Sequence, residues 1–313
     1  MRVLHSVEAL ASVAGPTHLA IGVFDGIHLG HQAVMGQTVR NARQTGGSAI
    51  VVTFDPHPVR VLRPEKAPRL LMASEQKQRL MEELGLDAML IIPFSREFAR
   101  TAADVFIRQL HCAANGLREI CVGEGWRFGA DRSGESCLLQ SITQDLGIAL
   151  NAVPPVLVGG RIVSSTRVRA ALESGDLHEA SLLLGRPFSL WGTITPAGNS
   201  AKQFRFVPGD SRAVSYQLLP DGMYAVKTRR AGTRHRGAVN IRRPSPAEPP
   251  QEHVVELRIL DSFLQISGDH MEVSLLQYLR PETSAGNLSE QLMRDALWAK
   301  EIHDMENCTE EEF

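Results

Sequence analysis

The feature that most constrains the fold is an alternation of short apolar runs with helix-forming segments over the first half of the chain. Five runs predict strands: 17–24, 48–54, 87–94, 119–124 and 148–156. Four segments between them predict helices: 30–45, 73–85, 101–111 and 135–147. Strands separated by helices are typical of βαβ units, whose strands run parallel. The sequence therefore predicts an α/β domain with a mainly parallel sheet.

The pattern changes near residue 186. Two short segments before this point predict helices, at 166–176 and 177–185. The runs after it predict strands separated by turns: 188–195, 222–229, 236–241, 253–260 and 270–279. Short strands of this kind favour a small antiparallel barrel or sheet. The segment 242–252 is rich in proline and predicts an exposed loop, and a terminal helix is expected over about 287–303.

Length and composition are consistent with two soluble domains. The 313 residues exceed what one hydrophobic core ordinarily holds, so we expect domains at 1–186 and 187–303 and an acidic tail at 304–313. Hydrophobic residues make up 43% and charged residues 22% of the chain, which is typical of a soluble globular protein. The formal net charge of -2 predicts no general attraction to nucleic acid or membranes.

Cysteine usage indicates the compartment. None of the four cysteines forms a C-x-x-C pair or a zinc-type spacing with histidines: Cys112, Cys121, Cys137 and Cys308. Free thiols are typical of a reducing cytoplasm. The weak apolar run at the start of the chain is too short and too polar for a secretory signal. No run approaches the roughly 20 apolar residues that span a bilayer, so we expect a cytoplasmic protein.

The stretch 22-GVFDGIHLGHQ-32 lies where the first predicted strand meets the first predicted helix. Glycines allow a ligand to approach the backbone, and a helix N-terminus presents free N–H groups to an anion. His28 and His31 add donors at the same place. A plain turn and a metal site are the alternatives, but no Asp, Glu or Cys at ligand spacing supports a metal. The pattern favours a phosphate site.

Three further segments have an unusual composition. The loop 123-GEGWRFGADRSG-134 combines glycines, arginines and aromatics that could stack on a flat ring, or it is an ordinary surface loop. The segment 164-SSTRVRAAL-172 places hydroxyls and two arginines at a helix start, which suits phosphate; solvated arginines on a capped helix are the alternative. The segment 53-TFDPHP-58 places Asp55 and His57 at the edge of the sheet where ligands of open α/β folds bind.

These four segments, in this order, resemble the bacterial bifunctional riboflavin kinase/FMN adenylyltransferase family, also called FAD synthetase. GVFDGIHLGH is similar to the family's H-x-G-H nucleotidyltransferase motif, and TFDPHP, LGLDAMLIIPF, GEGWRFGADRSG and SSTRVRAALESGDL have close family counterparts. The resemblance implies a Rossmann-like nucleotidyltransferase domain followed by a riboflavin kinase-like β-barrel and a terminal helix. It implies that FMN and ATP give FAD and pyrophosphate, without a protein nucleophile.

The resemblance also implies site residues. Those expected to contact ATP are Gly22, Phe24, Asp25, Gly26, His28, Gly30, His31, Ser165, Thr166 and Arg169. Those expected near FMN are Asp55, Gly123, Trp126, Phe128 and Gly129. His28, His31 and Arg169 are expected to act in catalysis. Mg²⁺ is expected to bridge the phosphates, held largely by substrate oxygens and water, so no residue is assigned as a metal ligand.

The sequence departs from the family pattern in two places. Gly125 stands where the family usually has Asp or Asn, so one polar contact to a substrate is expected to be missing. In the second domain, 195-TPAGNSAKQFRFVPGDS-211 lacks the P-T-A-N run that binds Mg-ATP in the family's kinase. Elsewhere in the barrel, Asn240 lies in a segment that resembles the family's G-V-A-N-I-G run, and the resemblance of 254-VVELRILD-261 implies that Glu256 is the counterpart of the kinase's catalytic base. We therefore expect a degenerate kinase domain.

Three functions follow as hypotheses. The first is FMN adenylyltransferase alone, and the second is the full bifunctional enzyme, which would also accept riboflavin. The third belongs to another class, a flavin- or nucleotide-binding regulatory protein with little catalysis. Adenylyl transfer to a different phosphorylated substrate is a further alternative. The oligomeric state is left open by the sequence.

Overall fold

The computed structural model describes residues 1–127, 129, 136–197, 203–209, 215–230, 232–244, 253–260 and 270–281. The chain forms two compact units. The first contains Met1–Pro68 and Gln76–Ser164; the second contains Arg69–Glu75 and the chain from Ser165 onward. The two short helices before residue 186 thus group with the second unit, and the domain boundaries expected from the sequence stay a prediction.

Six parallel strands form the sheet of the first unit, in the order β1-β4-β3-β2-β5-β6. Their bounds are β1 Arg2–Leu4, β2 Thr17–Ile21, β3 Ser48–Asp55, β4 Ala88–Pro93, β5 Leu117–Gly123 and β6 Ala149–Val153. The predicted parallel α/β fold is confirmed. The short N-terminal strand β1, which pairs with β4, was not predicted because three residues carry too little periodicity.

Five helices belong wholly or mainly to this unit: α1 Leu29–Gln44, α2 Pro58–Leu62, α3 Ser74–Glu83, α4 Ala103–Ala113 and α5 Ser136–Asp145. Three short 3₁₀ segments accompany them at Val7–Ser12, Pro64–Lys66 and Phe98–Arg100, and a two-stranded hairpin follows β6, with β7 Leu157–Val158 and β8 Arg161–Ile162. Apolar side chains from the strands pack with α4 and α5 in one core. The four long predicted helices thus lie within two residues of their expected ends.

Strand order fixes where a ligand can bind. From β2 the chain proceeds outward through β3 and β4, and then returns to the other side of β2 with β5. Ligands of open parallel sheets bind beyond the carboxyl ends of strands at such a switch in direction. The segments that follow β2, β3 and β5 are therefore the ones that the fold brings to a binding edge.

The described part of the second unit contains two helices and a closed barrel. The helices are α6 Ser165–Glu173 and α7 Leu177–Leu184. The strands are β9 Ser189–Pro196, β10 Gln203–Pro208, β11 Gly222–Arg230, β12 Thr233–Arg242, β13 Val254–Ile259 and β14 His270–Arg280. All neighbours are antiparallel, in the order β10-β13-β12-β11-β14-β9, and β9 pairs with β10 to close the barrel. The predicted barrel is confirmed.

Strand β10 was missed by the sequence analysis, which treated 195–211 as the counterpart of a phosphate-binding loop. Phe204 and Phe206 alternate inward and are almost fully buried, which is the pattern of a half-buried strand. The expected terminal helix over 287–303 and the acidic tail lie outside the described residues. Among the described helices, none is long and apolar enough to cross a membrane.

Candidate active site

The turn between β2 and α1 has an unusual backbone. Phe24 and Ile27 have positive φ angles of 52° and 39°, and Gly26 has a φ of 88°. A residue with a side chain costs about 1–3 kcal/mol in this left-handed region, and such strain persists only where neighbours hold it in place. Because strained backbone clusters at functional sites, the turn is the first candidate for a binding site.

Two side chains from other elements hold the start of this turn. The hydroxyl of Thr53, on β3, donates to the carbonyl oxygen of Val23 at 3.0 Å, and the ammonium group of Lys77, on α3, donates to the same oxygen at 3.2 Å. The amide of Gln32 donates to the Ile27 carbonyl at 2.9 Å and holds the end of the turn. The strained backbone is therefore fixed at both ends.

His28 and His31 lie together at the start of α1. Their rings stack with centroids 3.6 Å apart and planes inclined by 21°. His28 is the N-cap of the helix, and its Nδ1 accepts the backbone N–H of His31 at 3.3 Å. A neutral imidazole that accepts at Nδ1 carries its proton at Nε2. His28 therefore presents an N–H donor beside the free N–H groups of the helix N-terminus.

The environment of His31 favours its neutral form. Burial lowers the pKa of His31 well below its usual value, and the nearby His28 and Lys77 lower it further. Its Nδ1 is fully covered and has no hydrogen-bond partner among the described residues. A buried polar nitrogen without a partner is costly, so this atom is placed to gain from a polar ligand.

Gly30 makes room for the stacked rings. A Cβ at this position would lie 3.2 Å from Cε1 and Nδ1 of His28, closer than an ordinary contact. Gly22 has a similar role, because a Cβ there would lie 2.9 Å from the ring of Phe24. A side chain at either position would therefore displace a ring of this turn.

Lys77, which donates to the Val23 carbonyl of this turn, also interacts electrostatically with two carboxylates. Burial lowers the pKa of Lys77, while the charges of Asp25 and Asp55 act in the opposite direction and favour its charged form. Asp25 is buried and Asp55, the last residue of β3, is exposed. The sequence analysis did not identify Lys77; the available signal was a lone lysine on a helix beside the sheet edge, which more often faces solvent.

The predicted FMN residues occupy different environments. Gly123 ends β5, and the turn after it is closed by the Trp126 N–H, which donates to the Gly123 carbonyl at 2.9 Å. Trp126 is partly buried and packs against the core of the sheet. A Cβ on Gly129 would lie 2.8 Å from the Cβ of Ala103, so Gly129 packs on the start of α4. Phe128 lies outside the described residues, and the FMN contacts of all these residues stay predictions.

The predicted phosphate residues after residue 164 begin α6 in the second unit. Ser165 is the first helical residue and Thr166 is exposed. Arg167 donates from Nε to Oε1 of Glu179 on α7 at 2.8 Å, and Arg169 donates from Nε to the Arg69 carbonyl at 2.8 Å. Arg167 thus joins the two helices, and the expected contacts of Ser165, Thr166 and Arg169 with ATP stay predictions.

The kinase-like residues lie on neighbouring strands of the barrel. Asn240 on β12 is directly opposite Glu256 on β13, so the two side chains share one face. Nη2 of Arg242 donates to Oε1 of Glu256 at 2.7 Å, and 42% of the Glu256 side chain is exposed. The barrel therefore carries the predicted pair, with an arginine bound to its carboxylate.

No group of three or more His, Cys, Asp or Glu side chains with metal-binding geometry occurs within the described ranges. Two carboxylates, of Asp25 and Asp55, lie near Lys77 and the histidine turn. Mg²⁺ typically uses one or two carboxylates together with substrate phosphates. The residues of this turn therefore fit a magnesium ion that arrives with a nucleotide, although the protein alone offers no closed metal site among the residues described.

Comparison with known proteins identifies both domains. The FAD synthetase family model matches residues 11–167, and the riboflavin kinase family model matches residues 184–303. The bifunctional riboflavin kinase/FMN adenylyltransferase of Escherichia coli (strain K12) is 33% identical over 290 residues, which cover 91% of this chain and 92% of that protein. The protein of the same description from Listeria monocytogenes is 32% identical over 266 residues, which cover 84% of each chain.

A crystal structure described as a macrolide-efflux protein from Streptococcus pneumoniae has a TM-score of 0.77 over 96% of each chain, at 23% identity. This likeness shows the fold alone. Fold, domains and relatives together define a two-domain flavin-nucleotide transferase. The chain belongs to the bifunctional riboflavin kinase/FMN adenylyltransferase family.

The family assignment confirms the resemblance found in the sequence. It does not support the doubt about kinase activity, because the riboflavin kinase model matches the second domain and the relatives carry the bifunctional description. The absence of a P-T-A-N run in 195–211 remains a fact of the sequence. Residues 198–202 and 210–211 of that stretch lie outside the described residues.

Proposed function

We propose that the first domain transfers AMP from ATP to FMN, giving FAD and pyrophosphate. The observation that carries this proposal is the pair of stacked histidines on a strained turn at the N-terminus of α1. A helix N-terminus with imidazole donors suits polyphosphate, and the membership of the FAD synthetase family names the substrates. The reaction is a displacement at phosphorus, so positioning and charge stabilisation account for the catalysis.

The atoms balance without a covalent intermediate on the protein. An oxygen of the FMN phosphate forms a bond to the α-phosphorus of ATP, and the bond from that phosphorus to the bridging oxygen of the β-phosphate breaks. Negative charge accumulates on the leaving pyrophosphate. The Nε2–H of His28 and the first N–H groups of α1 are donors for this charge, and fixed donors of this kind need no reorganisation during the reaction.

Mg²⁺ would supply charge neutralisation across the phosphates when it is bound. Asp25, in this turn, and Asp55, at the end of β3, are carboxylates that could hold it, together with substrate oxygens and water. The mutual position of His28 and His31 depends on the turn and not on a metal. Their role as phosphate donors is therefore the part of the mechanism that the chain itself provides.

A second activity, phosphorylation of riboflavin to FMN by the barrel, is favoured by a separate observation. Asn240 and Glu256 are paired across β12 and β13 in a closed barrel. A carboxylate on an exposed face could accept the proton of a riboflavin hydroxyl as the hydroxyl oxygen bonds to the γ-phosphorus of ATP. The bond from that phosphorus to the oxygen shared with the β-phosphate breaks, and ADP leaves. The ion pair with Arg242 opposes this role, because one oxygen of the carboxylate already accepts a hydrogen bond from the guanidinium group.

One assay tests both activities. Purified full-length protein is incubated with Mg-ATP and either FMN or riboflavin, and the flavins are separated by chromatography. We expect FAD from FMN. FMN or FAD from riboflavin would establish the kinase as well, while no product from riboflavin would limit the protein to adenylyl transfer. No FAD from FMN would reject the main proposal and favour a binding protein or another phosphorylated acceptor.

A further inference from the structure

We propose that Lys77 is a further positioning residue of the nucleotide-transfer site: its ammonium group anchors the turn between β2 and α1 at the Val23 carbonyl and places a positive charge beside His31. The proposal deepens the proposed adenylyl transfer and rests on it for its catalytic readout. The argument itself comes from contacts within the first unit.

The first step concerns the backbone. The Val23 carbonyl accepts two hydrogen bonds, from Thr53 and from Lys77. It immediately precedes Phe24, the first of the two residues with strained positive φ angles. A strained turn persists only when its surroundings over-determine it. Lys77 is one of the two side chains that fix the start of this turn, and it reaches the turn from another helix.

The second step concerns charge. Lys77 acts electrostatically on His31 on one side and on Asp25 and Asp55 on the other. A hydrogen bond to a carbonyl could be made by any donor of suitable length, such as the amide of glutamine. A buried ammonium group near the two stacked imidazoles has a further effect, because its charge disfavours protonation of His31.

The third step combines the backbone contact of Lys77 with its effect on the charge of His31. His31 is kept neutral by burial, by His28 and by Lys77. Two protonated rings stacked at 3.6 Å would repel each other, so a neutral His31 preserves the stack. When phosphate enters, the ammonium group and the N–H donors are already in place, and no group has to be moved or charged. Lys77 thus acts through the turn and through His31, and its contact with substrate is not required.

The experiment compares Lys77→Met, which removes the donor and the charge, with Lys77→Gln, which keeps a donor without the charge. Lys66→Met is the matched control, because Lys66 is an exposed lysine of the same unit. FAD formation from FMN is measured as kcat and KM across pH, and the His31 ring is titrated by NMR. Thermal unfolding reports whether each variant folds.

We expect Lys77→Met to lower kcat at least about tenfold, because a displaced turn misplaces the donors that face the phosphates, with a smaller change in the KM for FMN. Both Lys77 variants should raise the pKa of His31. The acid limb of the pH–rate profile should therefore move to higher pH. Lys66→Met should change neither quantity. A rate within twofold of the parent in Lys77→Met, with His31 titrating as before, would overturn the proposal.

The NMR titration of His31 distinguishes a failure of the proposed adenylyl transfer from a failure of the proposed role of Lys77. If the parent protein makes no FAD from FMN, the proposed function fails, but the effect of Lys77 on His31 is still measured. A normal His31 titration in a folded Lys77→Met protein would then reject the positioning role by itself. If the parent is active and only the melting temperature falls in the variant, Lys77 is a structural residue and the inference is wrong.

Discussion

The histidine turn of the first domain and the Asn240–Glu256 pair of the barrel differ in how their polar groups are satisfied. On the turn, a strained backbone is fixed from other elements and the Nδ1 of His31 is buried without a partner among the described residues. On the barrel, regular paired strands carry a carboxylate that already has an arginine partner. The first region has a buried polar atom that a bound ligand could partner. In the second region, the carboxylate is already paired with an arginine of the same barrel.

The largest effect expected from this comparison is the loss of FAD formation when a histidine of the turn is replaced. Replacing His28 by Ala should reduce FAD formation from FMN at least about tenfold, because one donor to the developing charge is lost. Replacing His31 should have a similar effect. Any conversion of riboflavin to FMN should be unchanged in the same variants, since it belongs to the barrel. An unchanged rate of FAD formation would remove these histidines from the mechanism.

The next effect concerns the barrel carboxylate. If the parent phosphorylates riboflavin, Glu256→Gln should lower that rate at least about tenfold, the usual contribution of a positioned base being 10²–10⁴-fold. Arg242→Ala frees the carboxylate and should raise the same rate. Both are measured as FMN formed from riboflavin, with FAD formation from FMN as the unaffected control. A lower kinase rate in Arg242→Ala would show that the ion pair supports the site.

A smaller effect is expected from Gly30→Ala. The added Cβ would meet the His28 ring at 3.2 Å and shift it by a few tenths of an ångström, so FAD formation should fall by roughly threefold, well below the cost of a 1 Å misplacement. Folding should be unharmed, because alanine favours the helix. Gly36→Ala in the same helix is the control, since its Cβ would meet only the end of Arg40 at 3.4 Å. Equal activity of the two variants would argue against close packing at His28.

The smallest effect is on stability at low pH. The native pKa of His31 lies well below its usual value of 6.5, so the unfolded chain binds a proton before the folded chain does. Stability therefore falls as the pH decreases below about 6.5, by at most about 1.4 kcal/mol per pH unit for one group. His31→Phe should melt with a weaker pH dependence between about pH 7.5 and 5.5.

The sequence by itself determined the fold class of each domain, a parallel α/β sheet and an antiparallel barrel. It also determined which segment of the first domain is the candidate binding turn. Alternating strands and helices predict a parallel sheet wherever they occur, and glycines with two histidines at a strand end predict a phosphate turn. These signals are local, because periodicity and turn chemistry are read within one segment. The predicted helices and strands of the described residues are therefore found close to their expected positions.

Only the tertiary structure decided which side chains meet. Lys77 reaches the Val23 carbonyl across 54 positions of the chain, and its charge matters only because the fold buries it next to His31. Arg167, one of the two arginines in the predicted phosphate segment, is bound to Glu179, and Arg242, which had no assigned role, is bound to Glu256. Hydrogen bonds and ion pairs depend on the distance between two groups in the folded protein. The number of residues that separates the two groups along the chain does not give this distance.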